Sequence, residues 1–120
     1  MPTGVYKRTP KDWEHGDSGY YGHDCRCDVC SEAMRERGRK ARERTKWIAA
    51  YKESHPCMDC GGYFLAECMD FDHRPDEERA RDISRMGHYS SDELILAEIA
   101  KCDLICANCH RTRTHRRRYG

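Results

Sequence analysis

Hydrophobic positions are sparse along this chain, and their spacing predicts short helices and strands between polar stretches. From Ser31 to about residue 53 the composition favours a helix, and Ser31 is the residue expected to cap it. The apolar patch near the carboxyl end of that helix consists of Trp47, Ile48 and Tyr51. The pair His55-Pro56 ends the helix, because the residue before a proline disfavours the helical conformation.

The segment 63–72 predicts a strand or hairpin arm, because its side chains alternate in character. Cys68, Asp70 and Asp72 share one face of this predicted strand. Residues 1–24 are rich in glycine, proline, aspartate and tyrosine and show no periodicity, so they predict an irregular arm.

The sequence Ser90-Ser91-Asp92-Glu93 has the form of a capping box and predicts a second helix that ends near Lys101. The side chains expected to form the buried side of this helix are Leu94, Ile95, Ala97 and Ile99. Residues 103–105 can add a short strand, and residues 106–110 begin a final basic helix. The order of these elements predicts a small α+β fold.

The composition indicates that something besides a hydrophobic core stabilises this fold. Of 120 residues, 38% are hydrophobic and 36% are charged, so little apolar surface can be buried. Nine cysteines and seven histidines suggest metal sites. No stretch has the features of a secretory signal or the length of a membrane span, so we expect a cytoplasmic chain with reduced cysteines.

Positive charge is concentrated in two segments, although the net charge is only +1. Residues 35–46 carry seven positive and two negative charges, and residues 111–118 carry five arginines and no acid. Such segments favour contacts with the phosphates of nucleic acid. The five arginines are expected to hold phosphates and to supply affinity rather than sequence choice.

Two CxxC pairs predict a structural zinc site. Their four thiolates can complete the tetrahedron that zinc prefers, which leaves no position open for a substrate. The four predicted ligands are Cys57, Cys60, Cys106 and Cys109. Cys68 and Cys102 lie in apolar sequence and are expected to be small buried residues instead.

A second cysteine cluster, nearer the amino terminus, predicts a further zinc site. Cys25, Cys27 and Cys30 supply three thiolates, and either His15 or His23 could supply the fourth ligand. The alternative is an exposed, flexible, cysteine-rich arm.

The residues with catalytic chemistry lie between the two CxxC pairs and directly after the second pair. Asp72 and His73 are adjacent, and His110 directly follows Cys109. A carboxylate and a neutral imidazole can hold a divalent ion that keeps several waters and binds phosphate oxygens. A further histidine can take a proton from water near neutral pH.

The arrangement of a CxxC pair, then FDH at 71–73, then ICANCHRTRT at 105–114 resembles the HNH endonuclease family, especially its short phage and actinobacterial members. The resemblance covers about residues 54–115. It implies a ββα-metal (His-Me finger) core that a structural zinc site stabilises, with His73 as general base. It also implies Asp72 and His110 as ligands of a catalytic Mg²⁺ or Mn²⁺.

One position departs from the family pattern. Lys101 stands where the family commonly has its middle asparagine, and Asn108, inside the second CxxC pair, is the substitute site residue that the resemblance offers. The amino-terminal segment resembles an HG…Y…CRCxxC module that often precedes HNH domains, and this favours His15 over His23 as the fourth ligand.

The resemblance implies two domains and a function. Residues 1–53 would form the arm, the cysteine-rich module and the basic helix, and residues 54–120 the nuclease domain with a basic tail. The expected function is a phage-encoded endonuclease that cuts DNA in the cytoplasm of a bacterial host, beside the packaging terminase, with no membrane or small-molecule partner. The alternative is a zinc-ribbon protein that binds DNA without cutting it. A secreted disulfide protein is disfavoured by the paired CxxC motifs.

Overall fold

The computed structural model describes residues 14–79 and 81–120 and divides the chain into two compact units, Met1–Lys40 and Ala41–Gly120. The division therefore falls within the longest helix, whereas the sequence had predicted a boundary after residue 53. The reason is that Ile48 is buried in a cluster with residues from later elements, so the carboxyl-terminal part of the helix belongs to the second unit.

The first unit contains a short helix and the start of a long one. Helix α1 spans Asp17–Gly22, where the sequence had predicted an irregular arm, and residues 1–13 of that arm lie outside the described residues. Helix α2 spans Asp28–Ser54, so the predicted helix is present but begins three residues earlier than expected. Ser31 is therefore inside the helix and does not cap it; its hydroxyl donates to the Arg26 carbonyl at 3.2 Å.

The second unit contains the remaining elements. In chain order they are a 3₁₀ turn Ala66–Cys68, strand β1 Met69–His73, helix α3 Ile83–Met86, helix α4 Asp92–Ile99, strand β2 Cys102–Cys106 and helix α5 Ala107–Tyr119. The two strands form an antiparallel sheet in which Met69 lies opposite Cys106 and His73 opposite Cys102. The strand predicted over residues 63–72 is thus shorter and ends one residue later. None of the helices in the described ranges is long and apolar enough to cross a membrane.

Helix α4 begins where the sequence predicted, and its buried face matches the prediction in part. The Ser91 hydroxyl accepts from the Leu94 amide at 3.3 Å, which satisfies one amide of the first turn. The buried residues of the helix are Ile95, Glu98 and Ile99. Leu94 and Ala97, which were expected to be buried, are exposed. Residues three and four positions after Ile95 lie on the same side of the helix, so the charged residue Glu98 faces inward together with Ile99.

Two small clusters of buried side chains form the core. The first consists of Ile48, Ile83, Met86, Ile95, Ile99 and Cys102, and the second of Cys57, Met69, Leu104, Ile105 and Cys106. Phe71 and Tyr51 pack against both clusters. Cys102 is buried as expected, but Cys68 is exposed because it ends the 3₁₀ turn before the strand. The result is a small α+β fold with a thin core.

Candidate metal centres and active-site cleft

The four cysteines of the CxxC pairs come together at the end of the sheet. Cys57 and Cys60 lie in the turn after α2, Cys106 ends β2 and caps α5, and Cys109 lies in the first turn of α5. Their sulfur atoms all lie within 4.8 Å of one another, so the cluster could hold a zinc ion. Gly61 has a φ of 76°, which glycine adopts without strain and which lets the turn close tightly.

Backbone amides make this cluster ready to bind a cation. The amides of Cys60 and Cys106 donate to Cys57 Sγ at 3.4 and 3.3 Å. Burial opposes ionisation of this thiol, but these hydrogen bonds outweigh it and lower the Cys57 pKa to about 6. The hydrogen bond with the Cys106 thiol, followed by burial, raises the Cys109 pKa to about 12. Because a first thiolate forms easily and further ones repel it, a dication is the natural partner of this cluster.

The amino-terminal cysteines form a second cluster, within the first unit. His15, Cys25, Cys27 and Cys30 place their ligand atoms within 4.8 Å of one another. His15 Nδ1 lies 3.1 Å from Cys30 Sγ and 3.2 Å from Cys27 Sγ. His23 does not belong to the group, so the structure selects His15 from the two histidines that the residues alone left open. This cluster could also hold a zinc ion.

Zinc content can be predicted from these two groups. We expect purified protein to carry two tightly bound zinc ions, one for each cluster. Replacing Cys27 with serine removes one thiolate from the amino-terminal cluster and should lower the content to about one. Elemental analysis after gel filtration measures this, with Cys68→Ser as the control that keeps both ions. A wild-type protein with a single zinc ion that Cys27→Ser retains would rule out the amino-terminal site.

A cleft in the second unit brings together two of the other predicted site residues. It has a volume of about 260 Å³, and both His73 from the end of β1 and His110 from α5 line it. Asp70, Lys52 and Arg79 contribute to the same wall. The antiparallel pairing of β1 with β2, which leads directly into α5, brings the two histidines to one cavity although they are 37 positions apart in the sequence.

Each histidine of the cleft is held by its own carboxylate. His73 Nε2 lies 2.7 Å from Glu98 Oε2, and His110 Nδ1 lies 2.9 Å from Asp70 Oδ2. An ionised carboxylate can only accept, so the bonded nitrogen of each ring carries the proton. In a neutral ring the other nitrogen would be the acceptor, and this nitrogen is Nδ1 in His73 but Nε2 in His110.

Asp72 lies behind His110 and is buried. Its side chain is 7% exposed, and its Oδ1 is 3.7 Å from His110 Nε2. Arg117 donates to both carboxylate oxygens, at 3.1 and 2.8 Å, and Arg113 donates to Oδ2 at 3.0 Å. Burial alone would raise the Asp72 pKa, but the arginine hydrogen bonds prevail and lower it, so Asp72 is an anion at neutral pH.

The two arginines that reach Asp72 change the interpretation of the basic tail. Arg113 also binds Asp59 with two hydrogen bonds, at 2.7 and 2.6 Å, and Asp103 with one at 3.0 Å. Arg113 and Arg117 therefore fasten α5 to the sheet and to the CxxC turn. They are not freely available to phosphates, contrary to the expectation for all five arginines. Arg111, Arg116 and Arg118 form no ion pair with any acid of the described ranges.

Three site residues differ from the expectations drawn from the sequence. Asn108 is exposed in the first turn of α5 and does not belong to the wall of the cleft as far as the structure describes it. Asp70 and Glu98, which the sequence did not single out, hold the two histidines. The sequence could have indicated Asp70 as a site residue, because it shares a strand face with Asp72. It gave no indication for Glu98, whose partner His73 is 25 residues away.

Comparison with protein-family models, curated proteins and solved structures finds no match for this chain.

Proposed function

We propose that the second unit is a metal-dependent endonuclease of the HNH type that hydrolyses phosphodiester bonds in DNA. The observation that carries the proposal is the pair of histidines on one cleft, each bonded to a carboxylate through one ring nitrogen only. In this proposal β1, β2 and α5 form a ββα-metal core, and each cysteine cluster binds a structural zinc ion.

In the proposed reaction His73 is the general base. Its Nδ1 takes a proton from a water molecule while the water oxygen forms a bond to phosphorus. The bond from phosphorus to the 3′ oxygen breaks, and the leaving oxygen takes a proton from solvent. Lys52, on the same wall as His73, supplies positive charge for the phosphate, whereas Arg79 is paired with Asp82 of the same wall.

Asp72 and His110 are the residues that would hold a divalent ion. The Asp72 carboxylate and the acceptor nitrogen of His110 face each other across 3.7 Å, and Asp70 binds the opposite nitrogen of the ring. A carboxylate behind a ligand histidine is a common support in metal sites. When bound, Mg²⁺ or Mn²⁺ would polarise the phosphate and stabilise charge on the leaving oxygen. The ion would share the Asp72 carboxylate with Arg117.

Metal dependence tests these assignments. Asp72→Ala and His110→Ala are each expected to weaken binding of Mn²⁺ and to lose cleavage activity, with partial recovery of activity at high metal concentration. Matched controls are Asp76→Ala and His88→Ala, which remove an exposed carboxylate and an exposed imidazole. Titration calorimetry with Mn²⁺ and a cleavage assay provide the measurements. Unchanged Mn²⁺ affinity in both test variants would show that these residues do not hold the ion.

Three arginines of α5 are available for a nucleic-acid backbone. Arg111, Arg116 and Arg118 are exposed, whereas Arg113 and Arg117 are tied to acids. Replacing the first three with glutamine should reduce the slope of log affinity against log salt by up to about 2.7, at roughly 0.9 for each phosphate contact. The matching triple substitution to lysine keeps the charge and should keep the slope. Equal slopes for the glutamine variant and the wild type would exclude α5 from the DNA contact.

A further inference from the structure

Helix α4 carries a charged residue on its buried face. Glu98 is 3% exposed and lies between Ile95 and Ile99 on the side of the helix that packs into the core. An ionised carboxylate removed from water is costly unless charged or hydrogen-bonding groups compensate for it. An apolar residue of similar size would pack against the core without that cost, so the position of Glu98 calls for another explanation.

The partners of Glu98 supply that explanation. Its Oε2 accepts from His73 Nε2 at 2.7 Å, and its Oε1 lies 3.2 Å from Lys101 Nζ. Lys101 can offset the charge of an ionised Glu98, and the other oxygen is directed to the histidine. The His73 side chain is itself 11% exposed, so the hydrogen bond between the two is largely shielded from water and correspondingly strong.

We infer that Glu98 is the positioning residue of His73. It holds the imidazole with its proton on Nε2, so that Nδ1 carries the lone pair on a ring that lines the cleft. When Nδ1 accepts a proton from water, the ring becomes a cation, and the adjacent carboxylate stabilises that charge. This role rests on the proposed function, in which His73 is the general base.

The opposite arrangement at His110 supports a specific role for this contact. Asp70 binds His110 through Nδ1, whereas Glu98 binds His73 through Nε2. When the rings are neutral, the free nitrogen is Nδ1 in His73, the proposed base. In His110 it is Nε2, the nitrogen that lies 3.7 Å from Asp72 Oδ1.

The first measurement determines which nitrogen of His73 carries the proton, and it does not depend on cleavage activity. Nitrogen NMR of the zinc-loaded full chain with ¹⁵N-labelled histidine, at a pH where His73 is neutral, should show the proton on Nε2 in the wild type. Glu98→Gln can donate as well as accept through its amide, so the His73 signals should shift toward a mixture of tautomers or toward the Nδ1–H form. The control is Glu93→Gln, an exposed residue of the same helix, which should leave the His73 signals unchanged.

Kinetics give the second measurement. Glu98→Gln should lower kcat for DNA cleavage by about 10²-fold or more, the size of a general-base contribution, with little change in KM and in zinc content. A wild-type His73 with its proton on Nδ1, or a Glu98→Gln protein with unchanged tautomer and kcat, would overturn the inference. If the wild type shows no cleavage, the proposed function fails. The NMR comparison then decides the inference alone: a tautomer change in Glu98→Gln supports it and an unchanged tautomer refutes it.

Discussion

Cys109→Ser is expected to unfold the second unit. Cys109 is one of four residues whose sulfurs lie within 4.8 Å of one another, and it stands at the point where α5 meets the CxxC turn. Zinc binding contributes an apparent free energy of about 10–16 kcal/mol to the folding of small domains. A core as thin as this one cannot supply that much stability once the zinc is lost. Thermal unfolding measured by circular dichroism should show the loss of the cooperative transition, and zinc content should fall by one ion.

The matched control for that variant is Cys68→Ser. Cys68 is exposed and belongs to neither cluster, so its replacement should leave both the transition and the zinc content as in the wild type. A Cys109→Ser protein that unfolds at the wild-type temperature would contradict a structural role for the four-cysteine cluster.

His73 variants should lose cleavage activity by a factor of about 10² to 10⁴, which is the usual contribution of a general base. His73→Ala also leaves the buried Glu98 without its 2.7 Å partner, so some loss of stability is expected as well. His73→Gln retains an N–H donor of comparable reach and avoids that problem. Cleavage rates, zinc content and thermal melts of both variants are compared with those of His88→Ala, the exposed control.

These variants separate catalysis from folding. Loss of activity in His73→Gln with zinc content and thermal stability retained supports the assignment of the base. Cleavage by His73→Gln at the wild-type rate would mean that another residue activates the water. In that case the cleft lined by His110 and Asp70 would need a different proton acceptor.

Local patterns were enough to predict several elements of the fold. The helix stop at His55-Pro56, the helix start at the capping box 90–93 and the short strand around Leu104 depend on neighbours a few residues away, and the structure has each of them close to the expected place. Apolar character predicted the buried face of α4 only in part: Ile95 and Ile99 are buried, but Glu98 occupies an inward position while the more apolar Leu94 is exposed.

The cysteine clusters were predictable for a similar reason. Fixed spacing within each CxxC pair reveals the ligands, and the structure adds that His15 rather than His23 completes the second cluster. The supports of the cleft were not predictable. Glu98 reaches His73 across 25 positions, and Arg113 reaches Asp59 across 54, and such contacts form only when the strands pair and α5 folds back on the sheet.

Supercoiled plasmid DNA, incubated with the zinc-loaded full chain and either Mg²⁺ or Mn²⁺, decides whether this protein is a nuclease. We predict conversion to nicked or linear plasmid with added divalent ion, none after removal of that ion by dialysis, and a greatly reduced rate for His73→Gln. Tight binding of the plasmid without cleavage, with either ion, would contradict the proposed function and would favour a zinc-ribbon protein that binds DNA without cutting it.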